Sequence, residues 1–260
     1  MTPFPGPPEP FVTVRGVFQH YGGRPILERI DLDVAEGAFV SIVGASGCGK
    51  STFLRLLLAQ ERPSRGEIRI AGNPPAEEPG PERGVVFQRY SVFPHMRVRE
   101  NLVAARAFRE SRTGWLRGAA LVAARAEADA VLERIGLAHM ARAFPAALSG
   151  GMQQRLAIAQ ALMARPRVLL LDEPFGALDP GTRLRMHDFL TELRAETGMT
   201  VFMVTHDLSE GFKLADRVLV FDKVRHDRHA PEAYGATITY DLDARHGGVP
   251  FQDGAEGAPA

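Results

Sequence analysis

The sequence predicts an α/β protein with a mainly parallel sheet, and three observations support this. Short apolar segments of strand length alternate along the chain with longer segments of helical character. A glycine-rich loop, GASGCGKST, lies between one such strand and a helix. A later strand, in RVLLLDEP, ends in two carboxylates. Strands that alternate with helices at this spacing pair in parallel, because each helix returns the chain to the same end of the sheet.

The elements can be assigned in order from their residue patterns. Strands are predicted at residues 11–17, 30–34, 39–43, 168–171 and 199–206, and helices at 53–60, 156–165 and 182–197. Residues 98–137 are rich in Ala, Arg, Leu and Glu with few β-branched side chains, which predicts two or three helices. This helical block interrupts the strand pattern and is therefore interpreted as an insertion into the α/β core.

The composition is that of a globular protein without a strong net charge. The chain has 260 residues, 45% hydrophobic, with 31 Lys and Arg against 31 Asp and Glu. Because the basic footprint that binds phosphate backbones is missing, we expect no nucleic-acid partner. The single cysteine, Cys48, cannot form an internal disulfide, and no apolar run approaches the roughly 20 residues that span a bilayer. These features favour a cytosolic location.

The segment GASGCGKS, from Gly44 to Ser51, matches the phosphate-loop pattern G-x-x-x-x-G-K-[ST] at every fixed position. In such a loop the glycines let backbone N–H groups turn inward around phosphate oxygens. Lys50 brings a fixed positive charge to the β and γ phosphates, and the Ser51 hydroxyl can ligate magnesium. Cys48 is interpreted as a small residue that fits the loop, since the motif contains no base to activate a thiol.

Polar residues that follow other strands extend this site. Asp172 ends a buried strand and can hold Mg²⁺, which prefers oxygen ligands, while Glu173 beside it can polarise a water for attack on the γ phosphate. Gln88 follows a short strand and can coordinate the metal or its water. His206 closes another strand and can donate a hydrogen bond to the γ phosphate. Together these residues predict a site for a nucleoside triphosphate.

A second glycine-rich segment, LSGGMQQR, precedes a predicted helix. The bare N–H groups of Gly150 and Gly151 and the positive end of the helix dipole offer an anion site, and Ser149 can cap the helix. Local chemistry alone suggests a second phosphate site. It leaves open whether that site serves another nucleotide.

The order of the motifs is distinctive: GASGCGKST, Gln88, LSGGMQQR, VLLLDEP, GALD and His206. It resembles the ATP-binding subunit of ABC transporters over residues 11–222. The resemblance implies an α/β P-loop NTPase ABC cassette with a mainly parallel sheet core, an N-terminal antiparallel β subdomain and a helical subdomain inserted at about residues 90–165. A flexible Pro-rich leader at residues 1–10 and a partly flexible C-terminal extension at 223–260 flank this domain.

The resemblance also implies roles for individual residues. Tyr21 resembles the aromatic side chain that stacks on adenine, and Asp179 in GALD resembles the loop that crosses a dimer interface. The phosphate loop comprises Gly44, Ala45, Ser46, Gly47, Cys48, Gly49, Lys50, Ser51 and Thr52. The signature that contacts the γ phosphate held by a partner subunit comprises Ser149, Gly150, Gly151 and Gln153.

The same resemblance implies the chemistry and the cofactors, ATP and Mg²⁺. The magnesium ligands are Ser51, Gln88 and Asp172. Glu173 is the general base of ATP hydrolysis, supported by His206, Gln88 and Lys50. LSGGMQQR is then the second half of the first site, presented to another copy of the chain, so that two subunits stack head to tail.

The partners implied are a second copy of the chain, a membrane permease and, indirectly, a solute-binding protein outside the membrane. The permease places a short helix in a groove beside Gln88, for which Tyr90, Val92, Phe93 and Met96 are candidate lining residues. Packing between subdomains is an equally good interpretation of these four side chains. The expected location is peripheral, on the cytoplasmic face of the cell membrane.

The sequences of these motifs are most similar to those of importers of the nitrate, sulfonate and taurine group. The segment LLAQERPSRGEI, the residues after Gln88 and the C-terminal end depart from that group, so an importer of an amide, amine or amino acid is an alternative. A soluble ABC ATPase that acts on DNA or ribosomes would carry two cassettes, a coiled coil or basic patches, which this sequence lacks. A cassette that binds ATP without turnover is disfavoured by the intact Glu173.

Overall fold

The architecture is described by a computed structural model that covers residues 10–74, 80, 82–87, 92–111, 113–225, 233–247 and 249–250. The chain divides into two units, one formed by Met1–Glu78 with Val204–Ala260 and the other by Pro79–Met203. The phosphate loop and His206 belong to the first unit. Asp172, Glu173 and LSGGMQQR belong to the second. Residues 1–9 of the predicted leader and residues 226–232, 248 and 251–260 of the C-terminal extension lie outside the described residues.

The strands and helices follow one another as the pattern of alternating segments predicts. In chain order they are β1 (Val12–Tyr21), β2 (Arg24–Val34), β3 (Phe39–Val43), α1 (Lys50–Leu58), β4 (Arg65–Ile70), β5 (Arg83–Val86), α2 (Val98–Glu110), α3 (Gly118–Arg134), α4 (Gly150–Met163), β6 (Val168–Asp172), α5 (Pro180–Thr197), β7 (Thr200–Val204), α6 (Leu208–Leu214), β8 (Arg217–Asp222), β9 (Thr237–Asp243) and β10 (Val249–Pro250).

An antiparallel three-stranded sheet lies in the first unit, with the order β2-β1-β4. Val12, Val14 and Val17 of β1 are fully buried. Gly22 and Gly23 form the turn into β2 with φ of 57° and 82°, because a tight hairpin needs left-handed backbone angles. Strand β2 begins at Arg24 instead of residue 30, since it pairs with the full length of β1 through several register shifts.

The first unit also contains a second group of strands, in the order β10-β9-β8-β3, and the phosphate loop follows β3. Strand β3 is buried at all five positions and runs parallel to β8. Helix α1 follows the loop, and its Phe53 ring packs 5.4 Å from the ring of Phe221 in β8. Helix α6 lies close to β3, because a Cβ on Gly211 would come within 2.8 Å of the Ser41 hydroxyl oxygen.

The C-terminal segment contributes strands to this group. Strand β9 pairs antiparallel with the whole of β8, from Arg217 opposite Asp243 to Asp222 opposite Thr237. The buried Arg217 guanidinium donates hydrogen bonds to both carboxylate oxygens of Asp241. The sequence TITYDLD alternates polar and apolar residues, a pattern typical of a strand, although the sequence analysis assigned no strand there.

The second unit combines parallel strands with the predicted helical block. Its strands lie in the order β7-β6-β5, with β5 parallel to β6. Helices α2 and α3 fill residues 98–137 as predicted, and α2 contacts both α3 and α4. Helix α4 begins at Gly150 instead of residue 156, because Ser149 caps it and the two glycines occupy its first turn. No helix in the described part of the chain is long and apolar enough to span a membrane.

We predict that Ala59→Gly stabilises the fold. Ala59 ends α1 at φ 62° and ψ 25°. This left-handed conformation costs an L-residue roughly 1–2 kcal/mol, and the greater entropy of glycine in the unfolded chain offsets about 0.4–1 kcal/mol. The free energy of unfolding should therefore rise by up to about 1.6 kcal/mol in a urea titration.

Ala164 provides the matched control. It ends α4 at φ −70° and is also half-buried, so Ala164→Gly should lower the free energy of unfolding. If both substitutions destabilise the protein, the strain assigned to Ala59 is wrong.

Candidate functional site

The phosphate-loop pattern forms the strand, loop and helix arrangement that it predicts, between β3 and α1. The side chain of Lys50, which begins α1, is buried over the loop. Its Nζ donates hydrogen bonds to the carbonyl oxygens of Gly44 at 2.7 Å and Ala45 at 2.8 Å. Ser46 and Gly47, in the middle of the loop, are exposed. The loop therefore exposes its middle residues, while the Lys50 ammonium group is held against the two carbonyls at its start.

Three glycines allow this path, and each has a different surrounding. A Cβ at Gly44 would lie 2.2 Å from the carbonyl oxygen of Phe221, and one at Gly49 would lie 2.6 Å from Leu27 Cδ2. A Cβ at Gly47 would meet no atom within 4 Å. All three have positive φ. The loop is thus tightly packed at its two ends and open in the middle, where a phosphate can approach backbone N–H groups.

Cys48 points into the protein rather than toward this open side. Its thiol is free and only 5% of the residue is exposed. Ser51 is half-buried and Thr52 is buried in the first turn of α1. The Ser51 hydroxyl therefore remains the accessible side-chain oxygen at the start of the helix.

His206 lies in the first unit, directly after the end of β7. The N–H of Thr205 donates to the carbonyl oxygen of Ile42 at 3.2 Å, and Ile42 is two residues before Gly44. His206 itself is exposed. The Thr205 hydroxyl also donates to Glu210 of α6 at 2.8 Å. The bond between Thr205 and Ile42 connects the strand end that precedes His206 to β3, which leads into the phosphate loop.

Tyr21 also lies in the first unit, at the end of β1, and is 40% exposed. Its hydroxyl donates a hydrogen bond to Glu61, which also accepts one from the Gln19 amide at 3.2 Å. Glu61 follows α1, so these bonds connect the tyrosine to the far end of the phosphate-loop helix. The ring keeps an exposed face that can stack on a planar base.

In the second unit, β6 delivers the two predicted carboxylates. Its first four residues are fully buried, Asp172 is half-buried at its end, and Glu173 follows with φ of 51°. A non-glycine residue at positive φ is strained by roughly 1–3 kcal/mol, and such residues cluster at active sites. The backbone is therefore held in an unusual conformation at the residue predicted to be the general base.

Gln154 holds the turn that follows Glu173, and the sequence alone did not single it out. This buried side chain of α4 donates from Nε2 to the Glu173 carbonyl at 3.3 Å and accepts from the Ala177 N–H at 3.2 Å. The turn also contains a hydrogen bond from Gly176 N–H to the Glu173 carbonyl. Gln154 thus links the LSGGMQQR helix to the segment between Asp172 and GALD.

The LSGGMQQR segment opens α4 with an exposed N-terminus. The Ser149 hydroxyl accepts from the Met152 N–H at 3.3 Å, which confirms the predicted cap. Ser149 and Gly150 are exposed, while a Cβ on Gly151 would lie 3.3 Å from the Ala177 carbonyl oxygen. The Gln153 amide donates to the carbonyls of Pro145 and Leu148. Gln153 therefore holds the turn that precedes the helix.

Asp179 of GALD caps α5, whose first residue is Pro180. Its carboxylate accepts from the Thr182 N–H at 3.0 Å. Hydrogen bonds from the Thr182 side chain and backbone lower the pKa of the Asp179 carboxyl below its ordinary value. The cap is therefore ionised at neutral pH and fixes where the segment turns into the helix.

The predicted site residues are distributed over both units. The first unit contains the phosphate loop, Tyr21 and His206, and the second contains Asp172, Glu173, Asp179 and the signature segment. Gln88 and Tyr90 lie outside the described residues.

A family model described as "ABC transporter" matches residues 27–176, more than half of the chain. This chain belongs to the ABC transporter family. One relative, an aliphatic sulfonates import ATP-binding protein of Pseudomonas aeruginosa (strain UCBPP-PA14), is 44% identical over 211 residues, 81% of this chain and 72% of its own.

Solved ABC cassettes have the same fold. A dimeric bacterial ABC transporter cassette has a TM-score of 0.75 at 30% identity over 90% of this chain and 99% of its own. A dimeric cassette bound to ADP and Pi, in a post-hydrolysis state, has a TM-score of 0.73 at 30% identity. The alignment again covers 90% of this chain and 99% of that cassette. The fold is therefore an ABC cassette with an antiparallel N-terminal sheet, a mainly parallel core sheet and a helical subdomain. As an ABC ATPase, the chain hydrolyses ATP to drive transport.

We predict that Gln154→Met destabilises this ABC ATPase. Methionine nearly keeps the volume but leaves the Ala177 N–H and the Glu173 carbonyl without their side-chain partner. Ala177 is exposed and the Glu173 carbonyl keeps its bond from the Gly176 N–H, so the loss is that of ordinary hydrogen bonds, and the free energy of unfolding should fall by about 0.5–1.5 kcal/mol in a urea titration. Gln60→Met, at an exposed position after α1, is the control and should have little effect. Equal urea midpoints for the two variants would show that Gln154 does not hold the turn.

Proposed function

We propose that this chain is the ATPase subunit of an importer for a small solute and that it works as a homodimer. The observation that carries this proposal is the exposed Ser149–Gly150 start of α4, an anion site on a chain whose phosphate loop already has its own lysine. One chain then carries two half-sites, the phosphate loop and the start of α4. Their presence is explained if each completes a nucleotide site together with another copy of the chain. The dimeric form of the solved relatives supports this arrangement.

ATP is bound by the phosphate loop of one copy. Backbone N–H groups around the open Gly47 and the Lys50 ammonium group contact the β and γ phosphates, and the exposed face of Tyr21 stacks on adenine. The signature of the other copy, with Ser149, Gly150, Gly151 and Gln153, covers the γ phosphate. Asp179 lies at the interface between the copies. Closure removes water and adds donors to the phosphates, so hydrolysis depends on dimerisation.

Magnesium fits the oxygen ligands that this chain offers. The Ser51 hydroxyl at the start of α1 and the Asp172 carboxylate at the end of β6 are hard ligands, and Gln88 is the third proposed one. No three His, Cys, Asp or Glu side chains within the described residues form a group that could hold a metal. The bound ion would therefore depend on phosphate oxygens and water for its other ligands, and would neutralise charge on the phosphates.

Glu173 acts as the general base. Its carboxylate accepts the proton of the attacking water as the bond between the γ phosphorus and the bridging oxygen breaks, giving ADP and phosphate. His206 donates a hydrogen bond to the γ phosphate, and Lys50 stabilises the developing charge. The positive φ of Glu173 and the hydrogen bond from Gln154 to its carbonyl support a fixed position for the base.

A cavity in the second unit supports the proposed permease contact. It has a volume of about 240 Å³ and is lined by side chains of β5, α2 and α4 together with Phe93. Phe93 is one of the four candidate groove residues, and its ring lies 6.0 Å from that of Phe108. Met96 lines a separate cavity of about 340 Å³ beside Trp115. The mainly apolar lining suits a short amphipathic helix of the permease, which would hold the subunit peripherally at the cytoplasmic face of the membrane.

We predict that Glu173→Gln traps an ATP-bound dimer, because substrate and the second copy bind while water is no longer deprotonated. Size-exclusion chromatography with ATP should give a dimer, and chromatography without nucleotide a monomer. In the Glu173→Gln background, Ser149→Arg should abolish the dimer but keep nucleotide affinity, whereas Lys50→Ala should lose nucleotide binding. Val122→Arg, 70% exposed on α3, controls for the added charge. A Glu173→Gln protein that stays monomeric with ATP contradicts the proposal.

The proposed solute is an oxyanion of the sulfonate type, supported by the relatives named as aliphatic sulfonate importers. A strain that lacks this chain should fail to grow with an alkanesulfonate as its only sulfur source, while growth on sulfate is unchanged. The native chain should restore growth and Lys50→Ala should not. Undiminished growth on the alkanesulfonate would favour the alternative solutes, an amide, amine or amino acid.

A further inference from the structure

The C-terminal segment of the chain is attached to β2 of the first unit by backbone hydrogen bonds. Ala236 and Leu27 form a parallel bridge. The Glu28 N–H donates to the Ala236 carbonyl at 2.9 Å, and the Ala236 N–H donates to the Ile26 carbonyl at 2.9 Å. Both Leu27 and Ala236 are fully buried. The C-terminal segment, more than 200 residues away in sequence, is therefore hydrogen-bonded directly to the backbone of Ile26 to Glu28.

Side chains on either side of the bridge strengthen the attachment. The Arg225 guanidinium is 2.7 Å from the Glu28 carboxylate and lies 4.3 Å from the centre of the Tyr234 ring. The Thr237 hydroxyl donates to the Arg29 carbonyl at 3.4 Å. Residues 234–237, which we call the C-terminal clasp, thus contact β2 through backbone hydrogen bonds and the Thr237 hydroxyl, and Arg225 connects Tyr234 of the clasp to Glu28 of β2.

Gly235 is the position where the clasp approaches β2 most closely. It is buried, and a Cβ there would lie 2.9 Å from the Ile26 carbonyl carbon and 3.0 Å from the Leu27 nitrogen. These are backbone atoms, which cannot rotate away as a side chain can. Any residue larger than glycine therefore displaces either the clasp or β2.

Ile26 and Leu27 also contact the phosphate loop. A Cβ at Gly49 would lie 2.6 Å from Leu27 Cδ2, 3.1 Å from Ile26 Cγ2 and 3.3 Å from the Ile26 carbonyl oxygen. Gly49 is the residue before Lys50, and the two share the end of the loop where α1 starts. A shift of β2 at these residues would consequently move the backbone that positions Lys50.

We infer that the C-terminal clasp positions the phosphate loop through Ile26 and Leu27, so that nucleotide affinity depends on Gly235. A loop that is already held in its bound shape loses less freedom on binding, which raises affinity. Gly235 touches no nucleotide in this account and is a positioning residue. The inference rests on the proposed role of residues 44–52 in phosphate binding.

Titration calorimetry with ADP on the full chain tests the inference. Gly235→Ala should lower ADP affinity about five- to tenfold while circular dichroism reports a folded protein. Arg225→Ala removes the ion pair with Glu28 without adding bulk, and should lower ADP affinity about two- to threefold, with Arg225→Lys restoring most of it. Arg245→Ala is the matched control, since Arg245 pairs at 3.8 Å with Asp243 of the same C-terminal segment and is equally exposed.

A general loss of stability is separated from positioning in two ways. Leu132→Ala destabilises the core of α3, in the second unit, and should leave ADP affinity unchanged. Leu27→Ala should lower ADP affinity, and its effect should not add to that of Gly235→Ala, because both act through the same contact. Additive effects, or an ADP affinity that is unchanged in both Gly235→Ala and Arg225→Ala, would overturn the inference.

Lys50→Ala distinguishes the inference from the function on which it rests. If Lys50→Ala abolishes ADP binding while the two clasp variants bind normally, only the clasp inference fails. If Lys50→Ala binds ADP as the native chain does, the assignment of the phosphate loop itself is wrong.

Discussion

The structure depends on the close packing of one short loop against backbone at its start and mainly against side chains of β2 at its end. At its start, the loop passes so near the carbonyl of Phe221 that only a hydrogen fits at Gly44, and at its end Gly49 lies against Ile26 and Leu27. Strand β8 therefore limits the loop on one side and β2 on the other. Glycine alone tolerates both the positive φ and the lack of space at these two positions, so they restrict the path of the loop. The position of Lys50 is set by that path.

The second unit holds the turn after β6 by a different means. Glu173 has positive φ, and the Gln154 amide bonds to both ends of the turn that it begins. The helix that carries Gln154 is also the helix whose exposed start is the signature segment. Gln154 therefore connects the helix of the signature segment to the backbone of the proposed general base.

Much of this site could be predicted from sequence because its chemistry is local. The phosphate loop needs G-x-x-x-x-G-K-[ST] between a strand and a helix, and the carboxylates must end a buried strand, so both can be recognised in a few consecutive residues. Strand β9 was missed although TITYDLD has the alternation of a strand, whereas Gln154 and Gly235 could not be found from a local pattern. Their roles come from partners about 20 to 200 residues away, which no local pattern encodes. The early start of α4 was missed because glycines disfavour helix interiors, whereas here they stand in the first turn behind a serine cap.

The central claim is that two copies of the chain share each nucleotide, and cross-linking of mixed subunits tests it most directly. With Cys48→Ser and Glu173→Gln in both, one population would carry Ser46→Cys and the other Ser149→Cys, both at exposed positions. A disulfide requires Cα atoms within about 7 Å. The account predicts a cross-linked heterodimer that forms with ATP and is absent without nucleotide. A cross-link that forms equally without ATP, or none with ATP, would contradict it.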